Sequence, residues 1–376
     1  MNKTVIIFAT VLMFCSVALA RESTQIVGAR YLGMGSCFVT AVNDRTMLFA
    51  NPAALDRAET RMLTIMGFAA TANSKTADVI GFGLDNRDKF EDLGDMPEEE
   101  QDEIFDQIID EINYKRMNVM VSTLPFGWIQ RPFGGVIFTD TRISAMAYNG
   151  ASNTPLVDLL GTQDLGGIVG FAHGWMGLQS FLPNRLSVGA DLKYVRRYAY
   201  SMRETMTELA DADSPELMSG NTIGLDLGLL YDINAKTRLG LAVYDVLASD
   251  IEWDGDSSDV SRIQPGDKQD IQPALRIGFT RLFAPEAGFL ASPILLAFDL
   301  AEPFDGEVTF FKKIHVGAEA SLFRTWLKAR LGLSQGYPSA GLGIGVFSYA
   351  YYAEETGRHA GQIADHRHVI SLGLWD

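Results

Sequence analysis

Few residues of this 376-residue chain are spaced for chemistry. Asp254, Asp256 and Asp259 in WDGDSSD could offer calcium a set of carboxylates. The full EF-hand spacing with its terminal glutamate is absent, and a solvated acidic loop is the expected reading. His359, His366 and His368 cluster near the C-terminus. Divalent metal binding there competes with a polar loop carrying spare histidines, and the loop is favoured. Gly341, Gly343 and Gly345 form G-L-G-I-G-V, but without the strand–turn–helix context of a dinucleotide loop. Glycines at period two simply clear one face of a strand. Serine, histidine and aspartate all occur, yet no G-x-S-x-G or similar nucleophile context does. No catalytic residue, cofactor or metal site is therefore expected.

The start of the chain points to an exported protein. Met1 to Ala20 carries one lysine, an apolar stretch from Val5 to Val17, and Ala18-Leu19-Ala20 before Arg21. That pattern is a cleaved signal peptide, residues 1–20. Cleavage would remove Cys15 and leave Cys37 alone, so no internal disulfide can form. The net charge of −16 excludes a nucleic-acid partner, because phosphate binding needs a basic face. No later segment holds 18 uninterrupted apolar residues, so a transmembrane helix is not expected.

Beyond residue 58 the chain reads as strands of about ten residues separated by polar turns, the pattern of a transmembrane barrel. In LSVGADLKYV the residues Leu186, Val188, Ala190, Leu192 and Tyr194 share one face, opposite Ser187, Gly189, Asp191 and Lys193. Apolar outside and polar inside at period two is the barrel signature. Thr222–Asp232, Arg238–Val246 and Gln272–Leu282 repeat it. Short turns such as Ile233–Lys236 alternate with long polar loops such as Met202–Ser219, Glu252–Lys268 and Glu354–His366. The short turns are expected on the periplasmic side. Counting back from a last strand at His368–Trp375 gives thirteen strands down to Arg116. Arg61–Leu84 adds one long strand or two shorter ones, and an even total favours fourteen. Residues 86–113 interrupt the pattern as an acidic insert with helical spacing at Ile104, Phe105, Ile108, Ile109 and Ile112. That stripe is either a surface helix on the rim or part of a hydrophobic groove through which a ligand enters.

The stretch from Gly28 to Leu55 does not fit a strand or a surface helix. It holds Gly28, Gly33 and Gly35, and it ends in Asn51-Pro52-Ala53. Glycines allow close backbone approach, and Pro52 ends any helix near Ala50. The sequence G-A-R-x-L-G-M-G, then Asp44, then N-P-A-x-L resembles the N-terminal hatch of the FadL/TodX-type outer-membrane hydrophobe transporter family, with its PorV-like and spirochaetal FadL-like relatives. Ser334–Gly361 resembles the late hairpins of those relatives, and Trp375 near the C-terminus looks like a barrel-assembly signal. The resemblance implies an all-β protein: an antiparallel barrel of about fourteen strands over residues 59–376, with residues 21–58 as a hatch inside the lumen. Gly28, Gly33, Gly35, Asp44, Asn51, Pro52 and Ala53 match the hatch pattern. It also implies uptake of long-chain fatty acids or other hydrophobic small molecules into outer-membrane lipid, movement of the N-terminal segment, and assembly by the barrel-assembly machinery in a Gram-negative-type envelope. A PorV-like scaffold for secreted or surface-attached proteins is the alternative. An outer-membrane phospholipase or protease is the enzyme alternative and is not favoured.

Overall fold

The computed structural model describes residues 26, 28–85, 116–149, 155–177, 184–205, 217–255, 263–284, 293–323 and 326–373. The expected signal peptide, the stripe at Ile104 to Ile112 and Trp375 lie outside them.

Fourteen strands close into one antiparallel barrel. They are β1 (Met62–Asn73), β2 (Arg116–Gln130), β3 (Phe133–Asn149), β4 (Pro155–Met176), β5 (Arg185–Thr205), β6 (Met218–Asn234) and β7 (Thr237–Ala248), then β10 (Ala274–Phe283), β11 (Ile294–Ala301), β12 (Ile314–Leu322), β13 (Leu327–Ser334), β14 (Tyr337–Ile344), β15 (Phe347–Glu355) and β16 (Ala364–Leu372). The two-residue strands β8 (Ile251–Glu252) and β9 (Lys268–Gln269) pair only with each other. Each barrel strand pairs with its neighbour in sequence order, and β1 closes the ring on β16.

The period-two pattern decides which face turns out. On β5, Ser187, Asp191 and Lys193 are buried while Val188, Leu192 and Tyr194 are exposed. Ile65 (77% exposed), Val169 (62%) and Leu331 (67%) stand on the same outer face of their strands. So much apolar surface facing outward is unfavourable in water and suits hydrocarbon. A closed sheet leaves no unpaired backbone edge, which a bilayer requires. The chain is an outer-membrane type β-barrel.

Three sequence expectations need correction. Thr76–Leu84 is not a strand: β1 ends at Asn73, and Ser74–Asp85 is a helix, α3 (α1 and α2 lie before β1). Asn73 Oδ1 accepts hydrogen bonds from Thr76 N (3.0 Å) and Thr76 Oγ1, an N-cap that starts the helix. The strand expected over Gly166–Leu178 begins earlier, at Pro155, because its first residues pair one by one with β3, Asn149 opposite Pro155. β16 begins at Ala364, so the last long loop shrinks and His366 and His368 stand on a strand, where Tyr351 stacks on His366. Among the described residues no group of histidines, cysteines or carboxylates is arranged to hold a metal.

Candidate functional site: the N-terminal segment on a glycine belt

Ahead of β1 the chain forms α1 (Ala29–Gly33), α2 (Met47–Ala50) and a 3-10 turn, Pro52–Arg57. These short pieces cannot satisfy their own backbone, so the barrel side chains do it for them. Gly35 N donates to Ser339 Oγ (3.0 Å), which in turn donates to the Gly33 carbonyl (3.2 Å). Asp299 Oδ2 accepts from both Phe38 N (2.8 Å) and Val39 N (3.1 Å). Tyr244 donates its hydroxyl to the Ala50 carbonyl (2.6 Å). Asn51 shares its amide N–H groups among the carbonyls of Val39, Leu229 and Leu241, and its Oδ1 accepts from Ala53 N (3.0 Å).

The strands make room for this backbone by presenting glycine at the contact. Gly134 is paired across the sheet with Gly170, Gly189 with Gly228, Gly240 with Gly278, and Gly317 with Gly332. A Cβ on Gly332 would stand 2.2 Å from Gly35 N, and one on Gly317 would stand 2.1 Å from the Met34 carbonyl oxygen. On Gly240 it would meet Thr40 at 2.5 Å, on Gly189 Ala53 N at 2.4 Å, and on Gly170 Leu48 at 2.5 Å. Gly33 itself lies against Gly341 of β14. From Gly33 to Thr40 the segment passes β14, β13, β12, β10 and β7; Leu48 and Leu55 then lie against β3 and β4, and Asn51 to Ala53 between them lie against β5 and β6. Gly35, at φ +66°, takes the left-handed conformation that lets it turn against β12 and β13.

All seven residues of the sequence pattern are buried: Gly28, Gly33, Gly35, Asp44, Asn51, Pro52 and Ala53. Gly28 supplies the carbonyl that opens α1. Asn51, Pro52 and Ala53 meet at the Gly189–Gly228 pair. Asp44 is separate from both groups and ties the segment to itself. It accepts from Tyr31 Oη (2.5 Å), Arg30 Nη1 (3.1 Å) and Thr46 N (2.9 Å). Burial first of all, with Asp44 beside it, pushes the Tyr31 phenol well above its usual pKa, so it stays a donor. Sequence reasoning passed over Arg30, although it stands inside the G-A-R motif. Its guanidinium joins Asp44 to Glu319 of β12 (2.7 Å), and Glu319 also pairs with Arg330 of β13 (2.8 Å).

At its far end the segment is bolted twice. Asp56 pairs with Arg185 (2.7 Å) and Arg131 (3.2 Å) and accepts from Ser187 Oγ (2.7 Å). Burial raises the Asp56 pKa, but these hydrogen bonds and the two cations outweigh it and hold the carboxyl below its usual range. Arg57 pairs with Asp232 and donates to the Leu230 carbonyl (3.2 Å).

The segment contributes walls to two cavities. One of about 560 Å³ lies on the long-loop side, walled by Leu32, Ser36 and Phe38 of the segment and by Met120, Leu160, Tyr244 and Tyr352 of the strands. Arg276 enters it with its Cζ 4.1 Å over the Phe38 ring. The other, of about 960 Å³, opens on the short-turn side and is lined by charged groups.

Residues 48–281, more than half of the chain, match the family model described as "F plasmid transfer operon, TraF, protein". The chain belongs to this family. The match to the TraF family runs from Leu48 in α2 to Arg281 in β10, and so takes in both part of the segment and half of the barrel. Among solved structures the chain is similar to the Pseudomonas putida toluene transporter TodX, at 11% identity over 92% of this chain and 95% of that one, with a TM-score of 0.46. A deltaS2S3 mutant of TodX, described as a monoaromatic hydrocarbon channel, gives 10% identity over 93% and 97% and a TM-score of 0.43. A Pseudomonas aeruginosa FadL homologue gives 11% identity over 95% and 98% and a TM-score of 0.29. These structures belong to the FadL/TodX type that the N-terminal motif resembles. No curated protein matches the chain.

Proposed function

We propose that this protein takes up hydrophobic small molecules, long-chain fatty acids foremost, across the outer membrane, and that residues 21–58 are the hatch that plugs its lumen. The observation that carries this reading is the 560 Å³ cavity, whose walls combine apolar side chains from segment and barrel with the buried cations Arg276 and Lys313. Its size falls in the range of small-ligand pockets, about 300–1,000 Å³. Arg276 stands 3.8 Å from Asp299, a loose pair, and its buried Nε has no hydrogen-bond partner among the described residues. A ligand carboxylate would pair with the Arg276 guanidinium where it enters the cavity, while the acyl chain lies along Phe38, Met120 and Leu160. Asp299 also holds the N–H groups of Phe38 and Val39. A head group drawn to Arg276 thus acts on the contact that seats the segment. The segment moves only if ligand binds its two positions differently.

A fatty-acid titration of the detergent-purified barrel tests the proposal, with Asn51→Ala/Pro52→Ala and Arg276→Gln variants beside the wild type. Saturable binding is expected, altered in the first variant. In Arg276→Gln it should weaken about tenfold for the acid but little for the matching alcohol, the loss of one charge-assisted bond. A folded barrel that binds no long-chain hydrophobe would overturn the reading. The second reading in that event is a non-transporting scaffold for secreted or surface-attached proteins.

A further inference from the structure

The chain is acidic overall, yet the cavity on its short-turn side is not. Six cations and four carboxylates line that space, in a chain of net charge −16. Arg30 and Glu319 neutralise each other at one side of it, and Glu59 is exposed. What remains is Lys236 and two Arg–Asp–Arg arrangements. Asp56 lies between Arg131 and Arg185, and Asp232 lies between Arg57 and Arg238 (2.9 Å). One carboxylate cannot compensate two guanidinium groups, so each arrangement keeps an excess positive charge. Arg57 is only 10% exposed, and its Nε has no hydrogen-bond partner among the described residues. Burial and the neighbouring Arg238 hold its guanidinium below the ordinary value.

We propose that this cavity binds a carboxylate or phosphate group, held between the Arg57–Asp232–Arg238 arrangement and Lys236. Guanidinium groups suit such oxyanions because they donate in a planar fork. The site shares no lining residue with the hydrophobe cavity. An anion there competes with Asp232 for Arg57, the residue that bolts the end of the segment. Anion binding and segment release are therefore coupled, and reciprocally so.

Calorimetric titration of the full-length barrel with inorganic phosphate, and separately with hexanoate, tests this at low ionic strength, where screening is weak. The informative variant is Arg238→Gln/Lys236→Gln, which leaves Asp232 paired with Arg57, so that the segment loses only the long (3.4 Å) bond from Arg238 to the Thr40 carbonyl. Saturable binding to the wild type, at least tenfold weaker in the double variant, is the expected result. Fatty-acid binding and the heat-modifiable gel mobility of the folded barrel should be unchanged in that variant, which separates this site from the other. Repeating the phosphate titration in nanodiscs identifies the occupant. Lower affinity in phosphatidylglycerol than in phosphatidylcholine assigns the site to a lipid headgroup, and equal affinity assigns it to a free anion. Wild-type protein that binds neither phosphate nor hexanoate, or a double variant that binds them equally well, would overturn the proposal.

Discussion

Gly189→Ala should loosen the N-terminal segment while leaving the barrel closed. The new Cβ would stand 2.4 Å from both Ala53 N and the Pro52 carbonyl carbon. An ordinary contact needs about 3.5 Å, so backbone must retreat by roughly 1 Å. Neither atom belongs to a flexible side chain, and Asn51 next to them spends its amide on three fixed carbonyls. Overpacking of this kind costs about 1–3 kcal/mol. Alanine suits the strand at least as well as glycine, so the cost falls on the segment rather than on the sheet. Cys37 reports the outcome. It is fully buried, and burial, with Asp299 nearby, raises its thiol well above the usual pKa, so it reacts only when the segment lifts. In a Cys15→Ser background, maleimide labelling of the native protein should speed up about 5- to 150-fold in Gly189→Ala, the factor that 1–3 kcal/mol represents. Gly167→Ala, on the same β4–β5 hairpin but with only the Val136 carbonyl at 3.6 Å, is the control and should label like wild type. Equal labelling of Gly189→Ala and the control would refute the idea that the glycine belt seats the segment.

Three further outcomes follow from the same contacts. Asn51→Ala strips a polar partner from the Val39 carbonyl and should raise Cys37 labelling by an amount corresponding to about 1–3 kcal/mol, the cost of a buried unsatisfied group. Glu319→Gln leaves Arg30 and Arg330 facing each other without their shared carboxylate, and loss of about 3–5 kcal/mol should lower the denaturation midpoint of the purified barrel. Asp56 has its folded pKa below its unfolded one, so its contribution to docking is fully present above the ordinary carboxylate pKa of about 4 and is lost as pH falls through the lowered value. Hydrogen exchange of residues 28–57, corrected for intrinsic rates, should be flat from neutral pH down to that range and then quicken. Asp56→Asn should remove this acid step, and its persistence there would exclude Asp56 as the cause.

The barrel was legible because its physics is local. Side chains alternate across a strand, one face meets hydrocarbon, and so Val188, Leu192 and Tyr194 had to part from Ser187, Asp191 and Lys193. Errors arose where a short-range cap competes with an apolar run. At Asn73 one side chain ends a strand and starts a helix, although Thr76–Leu84 carries enough apolar residues to read as either. The belt had a faint trace in the sequence, one glycine near the middle of strand after strand, but composition alone could not say what those glycines face.

What the sequence by itself determined is therefore the closed antiparallel sheet, the apolar exterior and the place of the unusual segment that precedes it. Those depend on period, turn spacing and a motif contained within thirty residues. Only the tertiary structure decided how that segment is held. Arg30 meets Glu319 289 residues away, Phe38 meets Asp299 at 261, and Asn51 reaches Leu241 at 190. The N–H groups of Gly35, Phe38 and Val39 and the carbonyl of Ala50 take side-chain partners that lie far away in the chain. They meet these partners only when barrel closure brings distant strands round the segment, and that information lies in no single stretch of residues.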